Sequence, residues 1–123
     1  MGIGTDMVQI ERIKKSVKRF DTRFIRRLFT EAEYELAQQR GTYRRLAMFF
    51  AAKEATAKAL GTGFVGFGMK DIEVCYLKSG KPTITLHNQA QTFANKLDIS
   101  HIHLSLTDDH GMAMAFVVAE SAA

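Results

Sequence analysis

Phe50-Ala51-Ala52-Lys53-Glu54-Ala55-Thr56-Ala57-Lys58-Ala59-Leu60 is the most informative stretch of the chain. It is rich in alanine and free of Pro and Gly, and it completes a helix predicted from Arg44 to Leu60, with Gly61 as its stop. Leu46, Phe49, Phe50, Ala57 and Leu60 recur at helical spacing and form a core face. This is the longest element in the chain, and the remaining elements must pack around it.

Working outward toward the start, Thr30-Glu31-Ala32-Glu33 has the form of a capping box and predicts a helix to about Arg40, stopped by Gly41. Before it, Asp21 or Thr22 can cap a short helix through Phe29. Glu11 to Phe20 reads as a basic helix, and Ile3 to Ile10 as a strand. Toward the end, Thr62-Gly63-Phe64-Val65-Gly66-Phe67-Gly68 is a Gly-rich loop. Asp71–Leu77 and Thr83–His87 read as strands joined through Ser79-Gly80-Lys81-Pro82. Gln89–Leu97 is helical, and His101–Thr107 and Met112–Val118 form a second hairpin around Asp108-Asp109-His110-Gly111. The fold class is α+β, a largely antiparallel sheet packed against a long central helix. With 123 residues and no linker or repeat, residues 1–123 read as one domain.

On the central helix, Ala47, Ala51, Glu54 and Lys58 share one face. Two small residues followed by an acid and a base suggest a groove with a charged floor. Glu54 can bind a divalent metal through oxygen, and Lys58 can meet a phosphate. An ordinary solvent-facing Glu–Lys pair has the same spacing. Asp6 ends Gly2-Ile3-Gly4-Thr5-Asp6, where alternating glycines allow another backbone or a ligand to approach closely. Its carboxylate suits a hard-metal site beside Glu54, or a cap between strand and helix. The loop from Gly61 follows a helix and lacks Gly-Lys-Ser/Thr, the wrong order for a P-loop. His101 and His103 point the same way on a strand, but no zinc spacing completes them. Cys75 is the single cysteine and reads as a small buried core residue, which suits the cytoplasm.

The net charge is +4 and is uneven. Residues 1–45 hold 11 basic and 6 acidic side chains, against 6 and 7 in residues 46–123. Most of the excess lies on Arg12, Lys14, Lys15, Lys18, Arg19, Arg23, Arg26 and Arg27. The front of the chain is therefore expected to meet a polyanion, either an acidic protein or nucleic acid. Aromatics are not interleaved with these cations as in a base-stacking platform. No apolar run is long enough to span a bilayer, and the start lacks the pattern of a signal peptide.

Taken together, Gly2-Ile3-Gly4-Thr5-Asp6, Arg23-Phe24 through Phe29-Thr30 and Glu33, Phe50-Ala51-Ala52-Lys53-Glu54-Ala55 with Lys58, Gly61-Thr62-Gly63 and Gly80-Lys81-Pro82 resemble the holo-acyl-carrier-protein synthase family. These are the short, bacterial-type 4′-phosphopantetheinyl transferases, and the resemblance runs over essentially the whole chain. It implies transfer of the phosphopantetheine arm of coenzyme A (CoA) to a serine of apo-acyl carrier protein, with release of adenosine 3′,5′-bisphosphate. It implies Mg²⁺ held by Asp6 and Glu54, with Lys58 and Lys53 neutralising phosphate. Gly61, Thr62, Gly63, Gly80, Lys81 and Pro82 would line the nucleotide. A metal-bound water or a nearby acidic residue, Asp6, Glu54 or Asp109, would take the serine proton. It implies an acidic carrier protein docked on Arg12, Arg23 and Arg27, with Lys14, Lys15, Lys18 and Arg19 adding long-range attraction. Neither nucleic acid nor membrane is an expected partner on this reading. A homotrimer with active sites between subunits is expected, and so small a domain offers little room for a deep two-substrate cleft of its own. Two positions depart from the family pattern. Phe49 stands where many members carry Arg, so that a phosphate contact is either lost or falls to Arg44 or Arg45, and Asp108 stands where many carry His. A non-enzymatic basic module for RNA or an acidic protein is the alternative; it explains the basic helix but not Asp6, Glu54 and Lys58 together.

Overall fold

In the computed structural model, which describes residues 1–122, helix α4 (Thr42–Leu60) is the axis around which the other elements are arranged. One side of α4 lies on a three-stranded antiparallel sheet ordered β1 (Gly2–Gln9), β5 (Met112–Ser121), β4 (Ile99–Asp109). Small residues bring the two layers together: Ala55 and Ala59 on the helix, Ala113, Ala115 and Ala119 on β5, and Gly2 and Gly4 on β1. A Cβ on Gly4 would overlap the carbonyl oxygen of Ala55, and one on Gly2 that of Ala59. The backbone admitted by the alternating glycines is thus that of α4. Backbone faces backbone here, so no rotamer change can relieve a clash. Gly4→Ala is expected to destabilise the protein by about 1–3 kcal/mol or more in chemical denaturation. A loss under about 0.5 kcal/mol, the range of a surface substitution, would mean that β1 can slide away from the helix.

The other side of α4 is covered by α1 (Ile10–Phe20), α2 (Thr22–Leu28), α3 (Glu31–Gln39) and a hairpin of β2 (Ile72–Tyr76) and β3 (Pro82–Leu86). The capping box forms as expected: Thr30 Oγ1 accepts from the Glu33 amide at 3.1 Å, and the Glu33 carboxylate accepts from the Thr30 amide at 2.9 Å. Neither Asp21 nor Thr22 caps α2 through its side chain. Asp21 instead takes φ 55° and turns the chain between α1 and α2. The two predicted hairpins are present, but they do not join into one ladder. β2 and β3 form a sheet of their own, with β3 beside β4. Helix α5 (Asn88–Lys96) buries Ala90 and Ala94 in a second cluster with Leu60, Phe67 and Ile72. Cys75 is not a core residue. Alternation along β2 turns Ile72 and Val74 inward and leaves Cys75 half-buried on the outer face, its thiol 3.6 Å from Thr85 Oγ1. No helix among the described residues is long and apolar enough to cross a membrane.

Candidate active site

Asp6 sits midway along β1, opposite Ala115 of β5. Because β1 is an edge strand lying on α4, a long helix side chain can reach around it. Lys58 does so, donating to the Thr5 carbonyl at 2.9 Å and to Asp6 Oδ1 at 3.2 Å. Glu54 is one turn earlier on α4 and faces the same corner. Burial raises its pKa first and the Asp6 charge second, with Lys58 opposing both. Two hard carboxylate donors therefore share this corner with one ammonium, which is paired with Asp6, an arrangement that gains from a further cation.

From this corner an open groove of about 470 Å³ runs along the outer face of the sheet, over Thr5, Met7, Ser105, Thr107, Met114 and Phe116. Ile3 at 63% and Phe116 at 48% exposure belong to the same face, so a continuous apolar patch adjoins the charged corner. The sequence reading did not single out this patch. Its trace in the sequence is that β1 and β5 carry apolar residues on both faces, Ile3 and Met7 outward against Val8 inward, and Met114 and Phe116 outward against Val117 inward.

The remaining expected site residues are distributed unevenly. Gly61, Thr62 and Gly63 follow α4 directly, with Gly61 as its left-handed cap, and so stand a short step past Lys58. Gly80, Lys81 and Pro82 do not join them. The hairpin runs antiparallel to α4, with Ile72 beside Lys53 and Tyr76 beside Phe49 and Arg45. Its turn therefore lies toward the N-terminal end of the helix. The rise from Arg45 to Gly61 is about 24 Å. Asp109 is at the tip of the β4–β5 turn, pairing with Met112; it lies three rows along the sheet and two strands across from Asp6, roughly 14 Å away.

Lys53 contradicts its assignment to phosphate. It is wholly buried, and its ammonium is held by Glu33 at 2.8 Å, by the Met69 carbonyl at 2.9 Å and by the Ile72 carbonyl. The step of one residue along the helix turns it by about 100° from Glu54, into the interior. Ala47 and Ala51 likewise line no groove, for both are fully covered in the core.

Arg23 and Arg27, four residues apart on α2, flank a groove of about 670 Å³ floored by Phe20, Phe24 and Leu28. Arg12 is exposed on α1 and does not line it. None of these three arginines enters an ion pair among the described residues. The rings of His101 and His103 stack at 6.1 Å, and no group of three or more metal-binding side chains forms among the described residues.

Residues 2–117 match the 4′-phosphopantetheinyl transferase superfamily. A holo-acyl-carrier-protein synthase of Vibrio cholerae serotype O1 is 44% identical over 124 residues, covering 98% of this chain and 97% of that protein. The chain belongs to this transferase superfamily. Among solved structures, the holo-acyl-carrier-protein synthase from Neisseria meningitidis is similar with a TM-score of 0.90 at 38% identity, over 98% of both chains. The one from Helicobacter pylori, in complex with coenzyme A, has a TM-score of 0.85 at 35% identity, over 96% of this chain and 99% of that one.

Membership of the transferase superfamily displaces the non-enzymatic reading of the basic helices. It also gives the two departures a structural account. Phe49 is fully buried against Tyr76, ring centroids 6.2 Å apart, so in this transferase the position belongs to the core. Arg45 is occupied within the fold, donating to the Leu36 carbonyl at 2.7 Å and lying over the Tyr76 ring. Arg44 remains at the surface, paired with Asp108 at 3.1 Å.

Proposed function

We propose that the chain is a holo-acyl-carrier-protein synthase. It transfers the 4′-phosphopantetheine arm of coenzyme A to a serine hydroxyl of apo-acyl carrier protein and releases adenosine 3′,5′-bisphosphate. The observation that carries this reading is the convergence of Asp6, Glu54 and Lys58 at the head of an open groove, in a chain of this superfamily.

The serine oxygen attacks the pyrophosphate phosphorus next to the pantetheine arm. The bond to the other phosphate breaks, and the serine proton passes to a base. Asp109 stands apart at a solvent-exposed turn, so of the three carboxylates Asp6 and Glu54 are better candidates for that base. Lys58, freed from Asp6, neutralises phosphate charge. Positioning and electrostatics supply most of the rate enhancement in such chemistry. Asp6 and Glu54 are also the residues that would hold Mg²⁺. The fit rests on their chemistry: two oxygen donors whose mutual repulsion a divalent ion relieves, with water and substrate phosphate left to complete the shell. When bound, the ion supplies charge neutralisation at the pyrophosphate.

Gly61–Gly63 and Gly80–Pro82 cannot line one nucleotide within one protomer when α4 separates them. We read them as halves of a site completed by a second copy, in a homotrimer whose subunits meet through the outer face of the sheet. Ile3, Met7, Met114 and Phe116 support this, because an exposed apolar patch that adjoins the charged corner is suited to a partner surface. Phe116→Glu is expected to turn the trimer into monomers in sedimentation and to remove most of the transferase activity. A monomeric wild type with full activity would overturn the shared site.

The groove between Arg23 and Arg27 takes the acidic carrier protein, with Arg12 and the lysines of α1 attracting it from a distance. Neither nucleic acid nor a membrane is needed as a partner. A lone thiol at Cys75 is compatible with the cytoplasm. Mass spectrometry of apo-acyl carrier protein incubated with CoA, Mg²⁺ and this protein tests the reaction directly. A gain of one phosphopantetheine on the carrier serine is expected, and an unchanged mass with a carrier that other synthases load would overturn the reading.

A further inference from the structure

We infer that Lys53, through Glu33 and Thr30, is a positioning residue that fixes the Arg23/Arg27 groove of α2 relative to Glu54. It thereby sets how a docked carrier protein presents its serine. This rests on the function proposed above and concerns how the two substrates are brought into register.

A lysine ammonium inside a protein is unfavourable unless all three of its protons find acceptors. Lys53 satisfies this condition with Glu33, the Met69 carbonyl and the Ile72 carbonyl. Burial pulls its pKa down, and Glu33 opposes the shift. The Glu33 carboxylate is equally occupied, for it also accepts from the Thr30 amide at 2.9 Å and from the Val74 amide at 2.8 Å. Thr30 Oγ1 accepts from the Glu33 amide and donates to Glu73 at 2.6 Å, and Glu73 meets His87 Nε2 at 3.0 Å. One network, buried at Lys53 and Glu33, thus ties α4 to the α2–α3 junction, to the 3₁₀ turn at Met69–Asp71, to β2 and to the start of α5.

A buried ion pair is weak evidence for stability, since apolar residues of similar volume often do as well. Its geometry is what distinguishes it here. On one side Lys53 is bonded through the chain to Glu54. On the other, its ammonium lies over the ring of Phe29, 5.7 Å from the centroid, and Phe29 meets Phe24 edge-on at 6.3 Å. Phe24 is part of the floor between Arg23 and Arg27. Helix α2 has seven residues and no side-chain cap, so its orientation depends on its anchors. Its anchors are Ile25, 6% exposed in the core, and Phe29 just past its end, 2% exposed and lying over Lys53. The catalytic corner and the docking groove therefore share one rigid reference point.

The test uses Thr30→Val, which loosens the junction while leaving the ion pair in place, together with Lys53→Met. For each variant, kcat and the KM for apo-acyl carrier protein are measured, and the affinity for adenosine 3′,5′-bisphosphate is measured by calorimetry. Thr30→Val is expected to lower kcat/KM for the carrier about tenfold, as a small misplacement of a reacting group does. Nucleotide affinity should fall far less, by about twofold, since the Lys58–Gly63 end is outside the network and the Gly80–Pro82 turn lies several residues beyond Val74, where the network ends on β2. Arg23→Ala should also have less effect on carrier KM in the Thr30→Val background than in the wild type, because coupled sites are not additive. Equal losses toward carrier and nucleotide would mark the network as merely structural and overturn the inference, as would an unchanged carrier kcat/KM in Thr30→Val. Lys53→Met should show the same split, more strongly; if it does not fold, Thr30→Val still decides. Absence of transfer by the wild type would instead overturn the proposed function.

Discussion

Glu54→Gln and Asp6→Asn are each expected to lower the transfer rate by on the order of 10²–10³-fold, the usual loss when one preorganised charge-stabilising group is removed. Both substitutions keep the shape of the side chain, so circular dichroism should show an intact fold. Glu54→Gln should even raise the melting temperature of the metal-free protein. Burial and the Asp6 charge hold the Glu54 pKa above its ordinary value, so the folded state binds a proton that the unfolded state releases more readily. Stability from this group therefore falls as pH rises from the ordinary carboxylate range through the raised pKa. The advantage of Glu54→Gln should be absent in strong acid and open on the way to neutral pH. A wild-type rate in either variant at limiting Mg²⁺, or a melting difference independent of pH, would refute the assignment. A site that destabilises its own fold until a ligand arrives is a recurrent trade between stability and function.

Reversing charge at both Arg23 and Arg27 is the second large effect. Arg23→Glu with Arg27→Glu is expected to raise the KM for acyl carrier protein on the order of ten- to a hundredfold, because steering charges change association rates by such factors. The affinity for CoA should be unaffected, since the groove lies on α2 and the catalytic corner on β1 and α4. Added salt should slow the wild type toward the variant, as screening replaces the loss of charge. Equal effects on carrier and CoA, or a salt dependence as steep in the variant as in the wild type, would place carrier docking elsewhere.

Local features of the chain were the most legible. The alanine-rich run to Leu60, the Thr30–Glu33 capping box and the turn residues at Gly80 and Gly111 each act over a few residues, and the elements form where those signals stand. Asp6 and Lys58 are brought into contact, although nothing short-range joins them. What could not be read was which way a side chain turns once elements pack. Lys53 has the sequence context of a surface phosphate ligand, yet its partner Glu33 lies 20 residues earlier, turned inward by the cap it completes. Gly61–Gly63 and Gly80–Pro82 both look like nucleotide loops, but the direction of the hairpin along α4 depends on contacts between β2 and the helix. Cys75 missed the core because β2 has only one covered face.

The glycine contact between β1 and α4 has a mechanical consequence. A distance maintained by packed side chains can yield when a rotamer changes. Where Gly2 and Gly4 rest on the carbonyls of Ala59 and Ala55, the strand sits on a hard stop. Asp6 is two residues beyond Gly4, and Glu54 is one residue before Ala55. The two carboxylates are thus mounted on parts of the frame that have almost no compliance. Their repulsion is not dissipated by the backbone moving apart. What the Lys58 ammonium leaves uncompensated at this mounting falls to a cation that enters the corner.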